Sequence, residues 1–532
     1  MTSSRRPMTR LLAGALALAA IAAFAVIAPA SAAEFTKEDR FVTSSAGGVQ
    51  IDISVFKPAV ATPENRVPVI LFSHGWGGSK ADVGTPTAFL DAGFGVVSFS
   101  QRGFGASGGQ ANVQDPDLEA EDVESIIDYI STLDWVQKDL DADGLPIADD
   151  PVLGAIGGSY GGGYQTMTAL DEIKESPTGT TRLNALTPEI SWYDLNESLA
   201  PQKVVRTVWS TALFAVAANV VPDYIKTAFA WGAASGQWPD GKILGQDDPT
   251  GQVPDLDAEF HEHSPVAFAE DGIKLNIPVI VKQGQSDNLF NLNQGLHIFR
   301  DALTPAAQAQ SYFIGFNGGH ALPEAFPLGA ATAGDPCSGN WTAKRIEFFK
   351  AVFAHASTAN IFPKRYNMAD VGGTQCLSYD ANTSTRTFGV NDDIDPTGSN
   401  GMVMTAAAGP PVNLPIVDGP ITVSGIPTLS GDAYFAGVDT RTFFGLSMGP
   451  TATNGAGATV IGNNMMPLRL LVPDGIDQTS FNIELPGVTA KIPAGQSLYL
   501  TISPISDMSF GHGSHVPGGI VFTGLELKVP TL

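Results

Sequence analysis

Two residue patterns alternate along this chain between about residues 40 and 360. Apolar runs that are typical of buried strands, such as VPVILFSHG at 67–75 and FGVVSFSQRG at 94–103, each end at a glycine. Other segments, such as DLEAEDVESIIDYISTLDW at 117–135, carry apolar residues at helical spacing. This alternation predicts an α/β protein with a mostly parallel sheet covered by helices, in which catalytic groups collect at the carboxyl ends of the strands.

The alternation stops between about residues 195 and 273, where the sequence indicates two or three helices inserted between strands. Such an insert is typical of a cap over an active site. A membrane hairpin is the alternative, but Pro222, Asp223 and Lys226 interrupt the apolar stretch, and a spanning helix needs about 20 apolar residues. We therefore favour a helical cap.

After Cys376 the composition changes to short β-type runs, such as LRLLVP and GQSLYLTIS, separated by glycine, proline, asparagine and aspartate. Regular short strands with turn residues between them are typical of a β-sandwich. We therefore predict a catalytic domain at residues 33–365 and a C-terminal β-sandwich domain at residues 376–532.

The first 32 residues have the pattern of a secretory signal peptide. Arginines precede an apolar run, which ends in small residues that fit cleavage at Ala30-Ser31-Ala32. The pair Arg5-Arg6 leaves twin-arginine export open, and an uncleaved anchor helix is the alternative. We expect a secreted protein without a stable membrane anchor.

The formal net charge of the chain is −25. A surface this acidic repels phosphate backbones, so nucleic acid is not expected as a partner.

The chain contains two cysteines, Cys337 and Cys376. In an exported protein, two cysteines can close one bridge. We therefore expect a disulfide near the boundary between the two domains. Two unpaired buried thiols are the alternative.

The segment VLGAIGGSYGGGYQ at 152–165 contains Ser159 in a G-x-S-x-G pattern. In this pattern a sharp turn between a strand and a helix exposes the serine as a nucleophile, and small flanking residues allow the turn to form. An apolar strand-like run precedes Ser159, and a helix can start after it. A phosphate-binding loop is excluded because no Lys-Ser/Thr follows at the required spacing.

Asp287 and His320 follow Ser159 in the order nucleophile, acid, histidine that α/β-hydrolases use. Each comes just after a strand-like run, IPVIVKQG and SYFIGFNGG respectively. Alone, Asp287 could be a turn residue and His320 a loop histidine. Together the three predict a catalytic triad, in which His320 moves the proton of Ser159 and Asp287 orients the imidazole.

The backbone N–H groups of Tyr160 and Trp76 are candidates for the oxyanion hole, because one follows the nucleophile and the other follows the strand ending at His74-Gly75. His74 is a rival base, but it precedes the nucleophile and is better explained as part of the turn.

Trp192 and Tyr193, like Tyr160 and Trp76, are candidate pocket aromatics, with core packing as the alternative.

An acidic motif precedes the strand of Ser159. Asp139, Asp141 and Asp143 alternate before Gly144, and Asp150 stands at the twelfth position. Such carboxylate oxygens can wrap a calcium ion. A solvated acidic turn is the alternative, since Asp replaces the usual Glu at the last position and no clear helix pair flanks the loop.

The chain resembles the X-prolyl dipeptidyl peptidase and cocaine esterase-like α/β-hydrolases. The matching features are the runs GGSYGG, QRGFGASGG at 101–109, SDNLF and GGHA, and the β-rich tail. The resemblance spans nearly the whole chain after residue 32. It implies a hydrolase core, a helical cap and a jelly-roll-like domain, with Ser159, Asp287 and His320 as the triad. Family members often use a tyrosine hydroxyl in the oxyanion hole, whereas this chain has Trp76 there. The acidic pair that would grip a peptide N-terminus is not found, so dipeptidyl specificity does not transfer.

These observations predict a secreted serine hydrolase that cleaves an ester or amide of a small molecule or peptide through an acyl-enzyme. No cofactor is required for this catalysis, and calcium would be structural. An X-Pro-type peptidase or aminopeptidase, an acyltransferase and an inert binding protein are the alternatives; the complete triad argues against the last.

Overall fold

The computed structural model describes most of the chain after its N-terminal segment. The described residues are 34–80, 84, 86–320, 335–380, 384–390, 402–404, 410–453, 455–471, 476–514 and 519–532. The signal peptide predicted at residues 1–32 lies outside them. Among the helices formed by these residues, none has both the length and the apolar composition that crossing a membrane requires.

Strands and helices alternate from residue 35 to residue 379. The strands in chain order are β1 (Phe35–Thr43), β2 (Gln50–Pro58), β3 (Val69–Ser73), β4 (Gly95–Phe99), β5 (Lys138–Leu140), β6 (Pro146–Pro151), β7 (Leu153–Gly158), β8 (Leu183–Glu189), β9 (Lys242–Ile243), β10 (Gln246–Asp247), β11 (Ile280–Gly284), β12 (Tyr312–Phe316), β13 (Tyr366–Ala369) and β14 (Cys376–Tyr379). The helices are α1 (Thr87–Asp91), α2 (Glu121–Ser131), α3 (Tyr160–Glu175), α4 (Leu195–Leu199), α5 (Thr207–Ala217), α6 (Asp223–Ser235), α7 (Leu256–Glu262), α8 (Pro265–Glu270), α9 (Leu292–Asp301), α10 (Pro305–Gln308) and α11 (Trp341–Phe353).

One sheet contains most of these strands, in the order β1-β2-β4-β3-β7-β8-β11-β12-β13-β14. From β4 to β13 the neighbours are parallel, whereas β1–β2, β2–β4 and β13–β14 are antiparallel. The central strands β3, β7 and β11 are buried almost throughout, as expected for strands of a parallel sheet that is covered by helices. The predicted α/β core with a mostly parallel sheet is confirmed.

The segment between β8 and β11 forms the helices α4 to α8 and the short hairpin β9–β10. We call residues 195–270 the cap. It contains five helices, all in described residues, rather than the two or three that the sequence indicates. Pro222 separates α5 from α6, and the rings of Phe214 and Phe229 stack with their centroids 3.8 Å apart. The apolar stretch is therefore a pair of short packed helices.

The C-terminal region is built from strands. They are β15 (Ser384–Gly389), β16 (Met402–Met404), β17 (Val412–Asp418), β18 (Ile421–Gly425), β19 (Thr428–Ala436), β20 (Asp439–Pro450), β21 (Thr459–Val460), β22 (Met466–Leu471), β23 (Ile476–Glu484), β24 (Val488–Ile492), β25 (Gln496–Ser503) and β26 (Gly519–Thr531).

These strands form two antiparallel sheets. One has the order β23-β19-β26-β18-β24, with β15 and β16 also paired to β26, and the other has the order β17-β25-β20-β21, with β22 also paired to β20. Phe444 of the second sheet contacts Phe522 and Phe481 of the first, with ring centroids 5.3 Å and 6.2 Å apart. The sheets share one apolar core, as a β-sandwich requires.

The mostly parallel sheet of the hydrolase core includes residues beyond the predicted end of the catalytic domain. β13 and β14 lie beyond residue 365 and pair with this sheet, although residue 376 was predicted to begin the β-sandwich. The rings of Tyr366 and Tyr379 stack 5.3 Å apart across this hairpin. A short strand after a glycine-containing turn has the same local pattern in either domain, so only the pairing distinguishes them.

A disulfide joins Cys337 and Cys376, as predicted. It connects the chain just before α11 to the edge strand β14, and 39 residues separate the two cysteines in sequence. The bond therefore closes a long loop that includes α11.

His297 of α9 connects the two parts of the molecule. Its Nδ1 lies 2.6 Å from an oxygen of Asp301, and its Nε2 lies 2.8 Å from an oxygen of Glu484 on β23. Burial opposes protonation of His297, but the hydrogen bonds with the two carboxylates outweigh it and raise its pKa to about 9. At neutral pH a charged imidazolium thus bridges the hydrolase core and the β-sandwich.

Replacing both cysteines with serine should lower the stability of the protein. The chain-entropy model gives about 4 kcal/mol for a loop of this length. The measurement is the melting temperature of the double variant and of the native protein, each with and without reductant. We expect reductant to lower the melting temperature of the native protein only. Equal melting temperatures in all four samples would contradict the prediction.

His297→Gln should destabilise the protein in a pH-dependent way. Because the folded pKa, about 9, exceeds the ordinary value of 6.5, the ion pair contributes fully below about pH 6.5 and its contribution is lost as the pH rises through 9. We expect a loss of about 1–2 kcal/mol at pH 6, since the partners are partly exposed. Melting temperatures of both proteins between pH 6 and pH 10 should converge at the alkaline end, and a constant difference would refute this account.

Candidate active site

Ser159 lies in the sharp turn between β7 and α3. Its φ of 57° and ψ of −122° are uncommon for a residue with a side chain. Gly157 and Gly161 allow this turn, because an added Cβ at Gly157 would lie 2.4 Å from the carbonyl oxygen of Gly161, and one at Gly161 would lie 2.5 Å from that of Ser73. The Ser159 N–H donates to the carbonyl of Glu189 at 2.9 Å. The hydroxyl is thereby placed at the carboxyl end of the sheet.

His320 brings the three predicted residues together. Its Nε2 lies 2.9 Å from Ser159 Oγ, and its Nδ1 lies 2.9 Å from Asp287 Oδ2. Asp287 follows β11 and His320 follows β12, which are neighbours in the sheet. The rings of Trp209 and Phe290 contact the imidazole edge-on, at centroid distances of 5.4 Å and 5.3 Å. These contacts restrict the orientation of the imidazole.

Asp287 is fully buried, and its neighbours fix its carboxylate. One oxygen accepts hydrogen bonds from the N–H groups of Leu289 and Phe290, at 3.0 Å and 2.9 Å, which leaves the other to face His320. The main-chain carbonyl of Asp287 accepts a hydrogen bond of 2.8 Å from Asn464 Nδ2. Asn464 belongs to the C-terminal region, so the β-sandwich directly supports the loop of Asp287.

Tyr160 and Trp76, the predicted oxyanion-hole residues, lie beside Ser159. A Cβ added to Gly75, the residue before Trp76, would be 3.7 Å from the Ser159 Cβ. The Trp76 ring packs on Tyr160 at 4.8 Å, and its Nε1 donates to the carbonyl of Leu213. The Trp76 side chain is thus engaged with the cap, and its backbone N–H is the group that can serve the site.

His74, the rival base, is a structural residue of this turn. Its Nε2 accepts a hydrogen bond of 3.0 Å from the N–H of Gln101, and its Nδ1 lies 2.7 Å from the carbonyl of Gly75. An imidazole that accepts at Nε2 donates from Nδ1, so His74 is neutral here. Gln101 in turn binds Gln114, whose N–H donates to the Tyr160 hydroxyl at 3.3 Å.

A cavity of about 170 Å³ extends from Ser159 under the cap. Trp76, Tyr160 and Trp192 line it, together with residues of α5 and α6. Tyr193, the fourth candidate pocket aromatic, does not line it. Its ring instead stacks on His297 at 5.4 Å, beside a second, polar cavity at the β-sandwich. Adjacent residues of one loop face opposite ways, so Trp192 and Tyr193 reach different cavities.

The predicted calcium residues lie on the hairpin β5–β6. One oxygen of Asp141 accepts hydrogen bonds from the N–H groups of Asp143 and Leu145, and Asp139 accepts one from Asn184. The three-residue acidic group in the described chain that could hold a metal ion is a different one: Glu121, Glu124 and Glu175. No three of Asp139, Asp141, Asp143 and Asp150 have carboxylate oxygens within 4.8 Å of one another in the described residues, and calcium binding at this hairpin stays a prediction.

Two buried charged residues lie near the site, and nothing in the sequence around them indicates this position. Burial lowers the pKa of Arg206 to about 10 against the opposing effect of Asp287, and Arg206 binds the main-chain carbonyl of Asn288. Burial raises the pKa of Glu119 to about 8, and Glu119 accepts hydrogen bonds from the N–H groups of Asn112 and Asp115. Both side chains hold loops near the three predicted triad residues. Only the tertiary structure connects them to the site.

The sheet, the strained serine turn and the cap define an α/β-hydrolase. A CocE/NonD family hydrolase from Staphylococcus aureus has this fold at 13% identity, covering 94% of each chain with a TM-score of 0.61. An aminopeptidase from a marine sediment archaeon, Thaumarchaeota archaeon, is similar at 13% identity over 93% of this chain and 96% of that chain, with a TM-score of 0.60. An α-amino acid ester hydrolase is similar at 13% identity over 95% of this chain and 98% of that chain, with a TM-score of 0.58.

The family itself follows from the sequence. A model of the X-Pro dipeptidyl-peptidase (S15) family matches residues 47–321, just over half of the chain. The chain belongs to this family, as its motifs predicted.

Curated relatives match over shorter stretches. An uncharacterized 31.7 kDa protein of the traX-finO intergenic region of Escherichia coli is 33% identical over 107 residues, 19% of this chain and 33% of that protein. The uncharacterized protein YcjY of Escherichia coli K12 is 24% identical over 143 residues, 26% of this chain and 43% of that protein. The chain thus spans less than half the length of these relatives.

Asn464→Ala should lower kcat about tenfold with little change in KM. Loss of the hydrogen bond to the Asp287 carbonyl frees the loop of Asp287, and small displacements in a catalytic geometry cost far more in the transition state than in substrate binding. Steady-state kinetics with a p-nitrophenyl ester measures both constants. Asn482→Ala, on the exposed side of β23, is the control and should behave as the native protein. A rise in KM at unchanged kcat would contradict the prediction.

Proposed function

We propose that this protein is an ester hydrolase that works through an acyl-enzyme on Ser159. The observation that carries the proposal is the pair of hydrogen bonds by which His320 joins Ser159 Oγ to Asp287. His320 Nε2 accepts the hydroxyl proton while Oγ attacks the ester carbonyl. The imidazolium then returns this proton to the leaving oxygen as the bond to the alcohol breaks. Water repeats the sequence and releases the acid.

The negative charge that forms on the carbonyl oxygen needs hydrogen-bond donors. We assign this role to the backbone N–H groups of Tyr160, the first residue of α3, and Trp76, in the loop after β3. Preorganised donors of this kind contribute about 3–4 kcal/mol each to transition-state stabilisation. The contacts among His74, Gln101 and Gln114 support this geometry by connecting the loop of Trp76 to the start of α3.

The cavity favours an ester over a peptide with a free N-terminus. Among the described residues that line it, none is Asp, Glu, Lys or Arg. An α-ammonium group would lose its hydration there without gaining a carboxylate partner, which is costly. An uncharged acyl group bears no such penalty.

Export of the protein is part of the proposal. The signal-like residues 1–32 and the disulfide between Cys337 and Cys376 support a location in an oxidising compartment, where such bonds persist.

Ser159→Ala should abolish labelling by a fluorophosphonate probe and lower kcat/KM for p-nitrophenyl esters by at least about 10³-fold, because the nucleophile is lost. Ser176→Ala, at the end of α3, is a matched control that should label normally. The native protein should hydrolyse p-nitrophenyl esters and leave aminoacyl p-nitroanilides intact. Labelling that persists in Ser159→Ala would refute the assignment, and faster turnover of the anilides would identify a peptidase instead.

A further inference from the structure

The cavity beside Ser159 is walled by apolar side chains over most of its length. The cap supplies Leu199, Leu213, Ile225, Phe229 and Leu256, and the core supplies Leu289. Apart from Ser159, the polar residues among the described ones that line it are a few residues with hydroxyl groups, Gln237 and His512. Such a wall favours hydrocarbon, because every methylene moved from water into it is stabilised by the hydrophobic effect.

The position of His320 tells which half of an ester enters this cavity. His320 is described but does not line the cavity, whereas Ser159, Tyr160 and Trp76 do. The leaving alcohol has to lie against His320, since it receives its proton there. The acyl half then points away from His320, into the cavity.

Helix α6 shows how far this wall extends. Ile225, Ala228, Phe229, Gly232 and Ala233 all line the cavity, at the spacing of one helix face. At the rise of an α-helix, this face runs for about 12 Å. A chain of several methylenes is needed to cover such a distance, and an acetyl group would leave most of it empty.

We propose that the acyl group of the substrate is an uncharged hydrocarbon chain of about eight carbons, bound along α6. This inference rests on the proposed function, because it presupposes that Ser159 accepts the acyl group. It names the substrate class as esters of medium-chain carboxylic acids, with the alcohol half left largely outside the cavity.

The first test is a pair of substrate series assayed with the full chain. In p-nitrophenyl esters from acetate to octanoate, kcat/KM should rise about fourfold for each added methylene. In acetate esters of alcohols from methanol to octanol, it should change less than twofold per methylene. A value that is highest for acetate, or a rise confined to the alcohol series, would overturn the inference.

The second test fills the cavity from α6. Ala228 lines it and is 1% exposed, so Ala228→Phe should lower the ratio of octanoate to acetate kcat/KM at least tenfold. Ala230→Phe is the matched control, since Ala230 is exposed on the same helix and does not line the cavity, and its ratio should equal that of the native protein. If the phenylalanine variant does not fold, Ala228→Leu takes its place with an expected drop of at least threefold. An unchanged ratio in a folded variant would refute the proposed binding mode.

The failures of the two proposals are distinguishable. Labelling of Ser159 with turnover of acetate esters, but without any preference for longer acyl chains, would remove only the acyl-chain inference. Absence of both labelling and turnover of every ester would remove the proposed function, and the inference with it.

Discussion

The close approach of β3 to the turn after β7 is the constraint on which the active site depends. Ser159 has a backbone conformation that residues with side chains seldom adopt, and such conformations persist only where the surroundings impose them. Here the carbonyl of Ser73 lies so near Gly161 that a Cβ would collide with it. The same contact holds the turn of Ser159 against the loop of Trp76. This packing therefore restricts the turn of Ser159 and keeps the loop of Trp76 beside it.

Three parts of the molecule meet around this turn. The sheet presents Ser159, Asp287 and His320 at the carboxyl ends of β7, β11 and β12, and the cap encloses the apolar cavity next to them. The β-sandwich adds Asn464, which holds the main chain of Asp287, and His512, which lines the cavity. The protonated His297 bridges the sandwich to α9. The second domain is thus attached where it can influence the site.

Much of this arrangement could be predicted because short stretches of sequence indicate where strands end. Glycines around Ser159, and strand-like runs before Asp287 and His320, each indicate a strand end, and strand ends of a parallel sheet meet at one edge. Trp192 and Tyr193 show where such reasoning stops: the two are neighbours in sequence, but only Trp192 reaches the cavity. The strand β14 was predicted to belong to the β-sandwich, whereas it pairs with β13 of the hydrolase core. The sequence of a short strand does not indicate which strand it pairs with. Arg206, Glu119 and Asn464 were missed because burial and long-range pairing give them their importance.

By itself, the sequence determined the alternation of strands and helices, the glycine-flanked turn at Ser159 and the order of the candidate triad along the chain. These features depend on periodicity, on glycine at particular positions and on residue type, all of which are local. Only the tertiary structure decided which side chains face the cavity, that its wall carries no charge among the described residues, and that the β-sandwich supports Asp287. Those properties depend on which distant segments come into contact, since burial and hydrogen bonding between them exist only once the chain has folded.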